Sequence, residues 1–177
     1  MNEIKDSKIN VLISSDELQK KIAELGKTLN ELYNGEEIYV VSVLRGAVMF
    51  TVDLVKHFNM PVQMEFIRLS SYGSGTVSSG NIKAVDLSLP DLNGKNVLIV
   101  EDIIDTGHTA KFLIDFINHN FHTKSLKFCS LLDKKSRREV DIYADYYCFE
   151  VDDKFVVGYG LDYDGHYRNL PYIGYIG

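Results

Sequence analysis

The run Val97-Leu98-Ile99-Val100-Glu101-Asp102-Ile103-Ile104-Asp105-Thr106-Gly107-His108-Thr109-Ala110 decides how this chain is read. It opens apolar, delivers two adjacent carboxylates and then a third, and ends in a turn of small residues. Asn93-Gly94 before it and Thr106-Gly107 after it bound a strand buried on both faces, which is the pattern of a parallel sheet. Open α/β sheets bind ligands at the carboxyl ends of such strands. The turn that follows offers backbone N–H groups and hydroxyls at the start of a helical pattern, and so an anion site. A ligand with a phosphate and neighbouring hydroxyls, or with a metal, is implied. Asp105 has a second reading as a cap for the next helix, and the two readings are compatible. The turn lacks the GxxxxGK[ST] spacing of a Walker A loop, so it does not support nucleotide hydrolysis by that route.

Outward from this run, strands and helices alternate. Leu18, Ile22, Leu25, Leu29 and Leu32 share one helical face over about 15–32, with Ser14, Ser15 or Asp16 as its cap. Ile38 to Leu44 reads as a buried strand, Ala47 to Phe58 as a helix and Val62 to Leu69 as a strand. Ala110 to His119 reads as an amphipathic helix and Ser125 to Leu132 as a strand. Two further short strands are expected at Tyr146–Val151 and Phe155–Val157. The alternation predicts an α/β fold with a mostly parallel central sheet flanked by helices. Polar clusters fall just after the strands: Arg45-Gly46, Ser71-Tyr72, Glu101 to Thr109, and Lys134. A parallel sheet gathers such clusters on one edge, which argues for a single site.

Ser70 to Asn81 is rich in serine and glycine and has no periodicity. Its flanks belong to one compact unit, so a mobile lid over about 70–82 is expected. The 177 residues predict one domain. The net charge of −6 disfavours a broad grip on a nucleic-acid backbone, so no nucleic-acid partner is expected. No apolar run approaches ~18 residues, and the polar start lacks the apolar core of a signal peptide. The expectation is no membrane association and a cytoplasmic location. Cys129 and Cys148 have no metal spacing and lie in apolar strands, which reads as buried free thiols.

The organising run resembles the phosphoribosyl pyrophosphate (PRPP) motif of type I phosphoribosyltransferases. Val43-Leu44-Arg45-Gly46-Ala47 resembles their pyrophosphate loop, and Leu69-Ser70-Ser71-Tyr72-Gly73 the start of their lid. Leu131-Leu132-Asp133-Lys134 and the stretch Asp153 to Tyr163 resemble the purine-binding segments of the hypoxanthine-guanine branch. The resemblance covers nearly the whole chain, in order.

It implies a small hood built from the N-terminal residues and about 150–177. It also implies roles. Glu101 and Asp102 would hold the ribose hydroxyls, directly or through Mg²⁺. Asp105 would act as general base at purine N7, and Asp105, Thr106, Gly107, His108 and Thr109 would hold the 5′-phosphate. Leu44, Arg45, Gly46 and Arg168 would meet pyrophosphate, through backbone N–H groups exposed by an unusual peptide geometry in the first three. Ser71 and Tyr72 would close as a lid. Lys134 would donate to the 6-oxo group, Phe155 would stack on the base, Val156 would read it through its backbone, and Asp162 would contact a second Mg²⁺. From the residues alone, Lys134 reads first as a solvated loop charge, while Phe155 could be plain core and Arg168 a surface charge. His108 departs from the lysine common in related enzymes.

The implied function is purine salvage: PRPP and a 6-oxopurine give the nucleoside monophosphate and pyrophosphate. Alternatives are a xanthine-preferring enzyme and a PRPP-sensing regulator on the same fold. The regulator would need a basic surface or added domain, which the chain lacks. The resemblance also implies a homodimer or homotetramer.

Overall fold

The structure is a computed structural model, which describes residues 9–71 and 82–177. Its elements in chain order are β1 (Ile9–Ile13), α1 (Ser15–Tyr33), β2 (Ile38–Leu44), α2 (Val48–Val55), β3 (Val62–Ser71), β4 (Ile82–Asp86), β5 (Asn96–Ile104), α3 (His108–Asn120), β6 (Ser125–Asp133), β7 (Tyr146–Glu150), β8 (Val156–Val157) and β9 (Ile173–Ile176). A 3₁₀ turn (Lys135–Arg137) follows β6.

The main sheet runs β4-β3-β2-β5-β6-β7. Strands β3, β2, β5, β6 and β7 are parallel, and β4 pairs antiparallel with β3 at the edge. This is the mostly parallel α/β sheet that the alternation of elements predicts. From β2 the chain passes through α2 to β3 on one side, then returns to β5 on the other side. The strand order therefore reverses between β2 and β5, and a crevice opens outside their carboxyl ends.

The central strands are apolar on both faces because helices cover both. Val97 to Val100 are fully buried. Leu98 and Val100 pack with Leu18, Ile22 and Leu29 of α1 and Phe50 and Leu54 of α2. Val97 and Ile99 pack with Leu113 and Ile117 of α3. Each such leucine or isoleucine contributes about 1.5–3 kcal/mol relative to exposure. Helix α1 starts at a capping box: the Ser14 N–H donates to Glu17 Oε2 at 2.9 Å, and the Glu17 N–H donates to Ser14 Oγ. Of the three caps that the sequence offers, Ser14 is used.

Three details differ from the sequence reading. Helix α2 covers Val48–Val55 rather than running to Phe58, because His57 and Phe58 N–H groups make i→i−3 bonds to Leu54 and Val55 as the chain turns toward Pro61. Strand β3 continues through Ser71, where Ser71 pairs with Ile82, so Ser70 and Ser71 belong to a strand rather than to the expected loop. Residues 72–81, including Tyr72, lie outside the described residues. Strands β1, β4 and β9 were not expected.

Strands β1, β9 and β8 form a separate three-stranded antiparallel sheet. The loop after β8 is anchored on the helices: the Tyr159 hydroxyl donates to Asp53 Oδ2 of α2 at 2.5 Å, and Gln19 of α1 donates to the same oxygen at 3.1 Å. Cys129 and Cys148 are buried and free. Among the described residues no helix is long and apolar enough to cross a membrane.

Candidate active site

Three strand ends meet at the crevice. Leu44 ends β2, Glu101 to Ile104 end β5, and Asp133 ends β6. The Leu44–Arg45 peptide is cis. Gly46 follows it and lies flat against Asp102: an added Cβ would overlap Asp102 Oδ2. On its other side sits Gly160, whose φ is +103° and whose own Cβ would overlap Gly46 O. Only glycines permit this stack of Asp102, Gly46 and Gly160, which brings the loop after β8 onto the end of β2. Arg168 pins that loop, donating to Gly160 O at 2.6 Å and pairing with Asp162 at 2.5 Å. Asp162 also accepts from the Gly165 N–H at 2.7 Å. Arg45 is exposed.

Glu101 and Asp102 are recessed at the end of β5. Burial, with the neighbouring Asp102 carboxylate, pushes Glu101 well above the usual carboxylate range. Burial pushes Asp102 up to about 6, opposed by the Ile103 N–H, which donates to its Oδ1 at 2.9 Å, and by Arg168. Two ionised carboxylates at this depth are costly without a cationic partner.

Beyond them the chain turns through Asp105 and Thr106 into α3. Gly107 is the N-cap, with φ +89° and no side-chain cap bond, so Asp105 is not the cap. The first-turn N–H groups of α3 thus lack a side-chain cap, and beside them lies a hollow of about 240 Å³ lined by Glu101 to Gly107, Thr109 and Ala110. The side chain of His108 does not line it. Its Nε2 instead lies 2.8 Å from Glu139 Oε2. The turn is supported from behind. Thr106 O accepts from the Glu139 N–H at 2.9 Å. The Arg138 side chain passes close under Gly107 and pairs with buried Asp133.

A second cavity, of about 500 Å³, adjoins the first at Asp102, Ile103 and Asp105. Lys134 lines it and is only 6% exposed. Its N–H donates to Ile104 O, which ties it to the end of β5. Its Nζ donates to Lys154 O at 2.8 Å. A lysine held this way is a fixed donor rather than a solvated charge. Phe155 stands on the wall, 45% exposed, and meets Tyr163 edge-on. Val156 is buried beside it in β8, and Asp162 closes the side toward Arg168. Thus Asp102 and Asp105 belong to the wall between two hollows.

Several contributors were not singled out from sequence. Arg137 and Asp153 line the larger cavity, and Arg138 with Asp133 forms a buried pair behind the turn. All four sit in charged runs with no pattern to separate them. Gly160 was visible only as one of several tail glycines.

The comparisons with known proteins agree with this fold. The model of the phosphoribosyl transferase domain matches residues 14–164. The chain is 51% identical over 164 residues to the bifunctional protein TilS/HprT of Listeria monocytogenes serotype 4b, and spans about a quarter of that protein's length (93% of this chain, 25% of that one). It is 48% identical over 164 residues to the hypoxanthine-guanine phosphoribosyltransferase of Bacillus subtilis, covering 93% of this chain and 91% of that one. It superposes on the crystal structure of a hypoxanthine-guanine phosphoribosyltransferase from Bacillus anthracis with a TM-score of 0.90 at 44% identity, covering 97% of this chain and 100% of that one. The chain belongs to the phosphoribosyltransferase family, a family of transferases. Within it, the chain falls in the hypoxanthine(-guanine) phosphoribosyltransferase branch.

Proposed function

We propose that the chain serves purine salvage, moving the 5-phosphoribosyl group of PRPP onto N9 of hypoxanthine or guanine to give IMP or GMP and pyrophosphate. The observation that carries this is the pair of hollows meeting at Asp102 and Asp105, one at the N-terminus of α3 and one lined by a buried lysine and an aromatic ring. The amides of Thr106, Gly107, His108 and Thr109 hold the 5′-phosphate, with Asp105 beside them. Glu101 and Asp102 take the ribose hydroxyls. Lys134 donates to the 6-oxo group, Phe155 covers the ring face, and the backbone of Val156 reads the ring edge.

In the reaction the C1–pyrophosphate bond breaks and the N9–C1 bond forms, while the N7 proton passes to Asp105. The sugar acquires oxocarbenium character, and charge grows on pyrophosphate. The N–H groups of Leu44, Arg45 and Gly46, with the side chains of Arg45 and Arg168, face that charge. A 6-amino purine would set an amino group against the Lys134 ammonium and leave both unpartnered.

Among the described residues no cluster of three or more His, Cys, Asp or Glu side chains could hold a metal alone. The residues do fit Mg²⁺, which binds one or two carboxylates and completes its shell with water and substrate oxygens. Glu101 and Asp102 are recessed carboxylates whose charge a cation relieves, and Asp162 faces the same space. When bound, Mg²⁺ neutralises the leaving pyrophosphate. The small sheet of β1, β9 and β8 acts as a hood over one domain, held by the contact of Gly160 with Gly46. A dimer or tetramer located in the cytoplasm completes the proposal, and light scattering reads the assembly.

The test is pyrophosphate release from PRPP with hypoxanthine, guanine, xanthine and adenine in parallel. Turnover with the first two and not with adenine is expected. No turnover with hypoxanthine would reject the proposal.

A further inference from the structure

Arg137 faces two carboxylates across the mouth of the larger cavity. Its Nε lies 3.3 Å from Asp105 Oδ1, and its Nη1 lies 3.5 Å from Asp153 Oδ1. Lys134 Nζ lies 3.8 Å from that same Asp153 oxygen. Asp105, Arg137, Asp153 and Lys134 thus alternate in sign along the wall of one cavity.

The two oxygens of Asp105 are not equivalent. Oδ1 is buried and has no hydrogen-bond partner. The side chain as a whole is 39% exposed, so its exposure belongs to the remainder, Oδ2 included. Arg137 stands over Oδ1 at ion-pair distance. The last torsion of an aspartate is broad and nearly two-fold, and nothing else in the described structure bonds this carboxylate. A guanidinium that attracts Oδ1 therefore fixes the plane of the carboxylate and leaves Oδ2 toward the cavity. The planar fork of an arginine can hold Asp153 at the same time, which a lysine ammonium does less well.

We infer that Arg137 is a positioning residue for proton transfer: it orients Asp105 so that Oδ2 meets the base, and Asp153 holds it in that posture. This rests on the proposal that Asp105 takes the purine proton.

Steady-state kinetics on Arg137→Ala, Arg137→Lys and Arg137→Ala in an Asp105→Asn background test it, with thermal unfolding as the control for folding. Arg137→Ala is expected to lower kcat about tenfold, since small misplacements of a reacting group are costly, while KM for PRPP stays within about twofold. Arg137→Lys should recover part of the loss. In the Asp105→Asn background the same removal should change kcat by less than about twofold, because nothing remains to be oriented. An unchanged kcat in Arg137→Ala would overturn the inference. So would equal losses in both backgrounds, or a PRPP KM that rises as far as kcat falls. Normal turnover by Asp105→Asn is a separate failure, of the proton assignment. A loss in Arg137→Ala alongside it would place the effect elsewhere and overturn the inference too.

Discussion

The two hollows that share Asp102 and Asp105 are built in opposite ways. The smaller is nearly contiguous in sequence, running from Glu101 to Ala110. It lies at the uncapped N-terminus of α3, and the packing behind its wall depends on the absence of side chains at Gly46, against Asp102, and at Gly107, against Arg138 and Val140. The larger draws on the ends of β5 and β6, the 3₁₀ turn and the loops around β8. It presents side-chain chemistry: the Lys134 ammonium, the Phe155 ring and the charges of Arg137 and Asp153. Away from its carboxylates, a site built on backbone N–H groups should tolerate loss of side chains and reject added ones. A side-chain-built site should do the reverse.

The largest effect is expected at the shared wall. Asp105→Asn should lower kcat by ~10²–10⁴ with modest change in either KM, because one general base is removed. Rapid-quench measurement of the chemical step checks it, and near-normal turnover would return Asp105 to a phosphate-side role only. Next is Gly46→Ala. Its Cβ must displace Asp102 or the loop, and a shift of that size at the reacting centre costs roughly 10²-fold. The loss should appear in kcat/KM for PRPP. Full activity would mean that the loop yields cheaply, and the contrast between the two hollows would weaken.

The same contrast explains what could be read from the sequence. Strands β2 and β5 were legible because burial on both faces writes itself as near-continuous apolar runs, and β6 because Phe128 to Leu132 are buried and mostly apolar. The phosphate turn was legible because all its parts are adjacent. Strand β4, Ile82 to Asp86, is a five-residue edge strand in which Lys83 and Asp86 interrupt the apolar residues, so it carries no such run. Strands β1 and β9 are short, and they pair across nearly the whole chain, Ile9 with Ile176, so nothing nearby in sequence marks them as partners. In the larger cavity, Lys134 and Phe155 were ambiguous in sequence, and the structure places both on its wall. Lys135, Arg137 and Arg138 are neighbours of like charge, and only the geometry separates a surface cation paired with Glu150 from one facing Asp105 and one buried on Asp133.

Lys134→Ala should sharpen the comparison from the other side. Losing a charged donor costs about 1.5–3 kcal/mol, so KM for the purine should rise ~10- to 100-fold, with PRPP binding little changed. Equal losses for both substrates would mean that Lys134 only braces the end of β5. A smaller effect concerns pH. Asp102 is raised from 3.8 to about 6 by burial, so in the ligand-free protein its contribution to stability is fully present below 3.8 and is lost as pH rises through about 6. Asp102→Asn cannot ionise. Its melting temperature relative to the native protein should therefore increase across that window and level off above it. A difference that stays flat from pH 4 to 8 would show that the carboxylate is not burdened by burial.

The smallest effect should come from His108→Ala, although the residue sits within the phosphate turn. Its Nε2 is occupied by Glu139 at 2.8 Å, and the pair is partly exposed, where such contacts are worth about 0–1 kcal/mol. Its N–H, which the substitution keeps, lies in the first turn of α3, where backbone donors and the helix dipole favour an anion. KM for PRPP should therefore change by less than about threefold. An increase beyond about tenfold, worth ~1.4 kcal/mol, would mean that the imidazole leaves Glu139 and reaches the phosphate. The smaller hollow would then depend on a side chain after all, and the distinction from the larger one would rest on Gly46 and Gly107 alone.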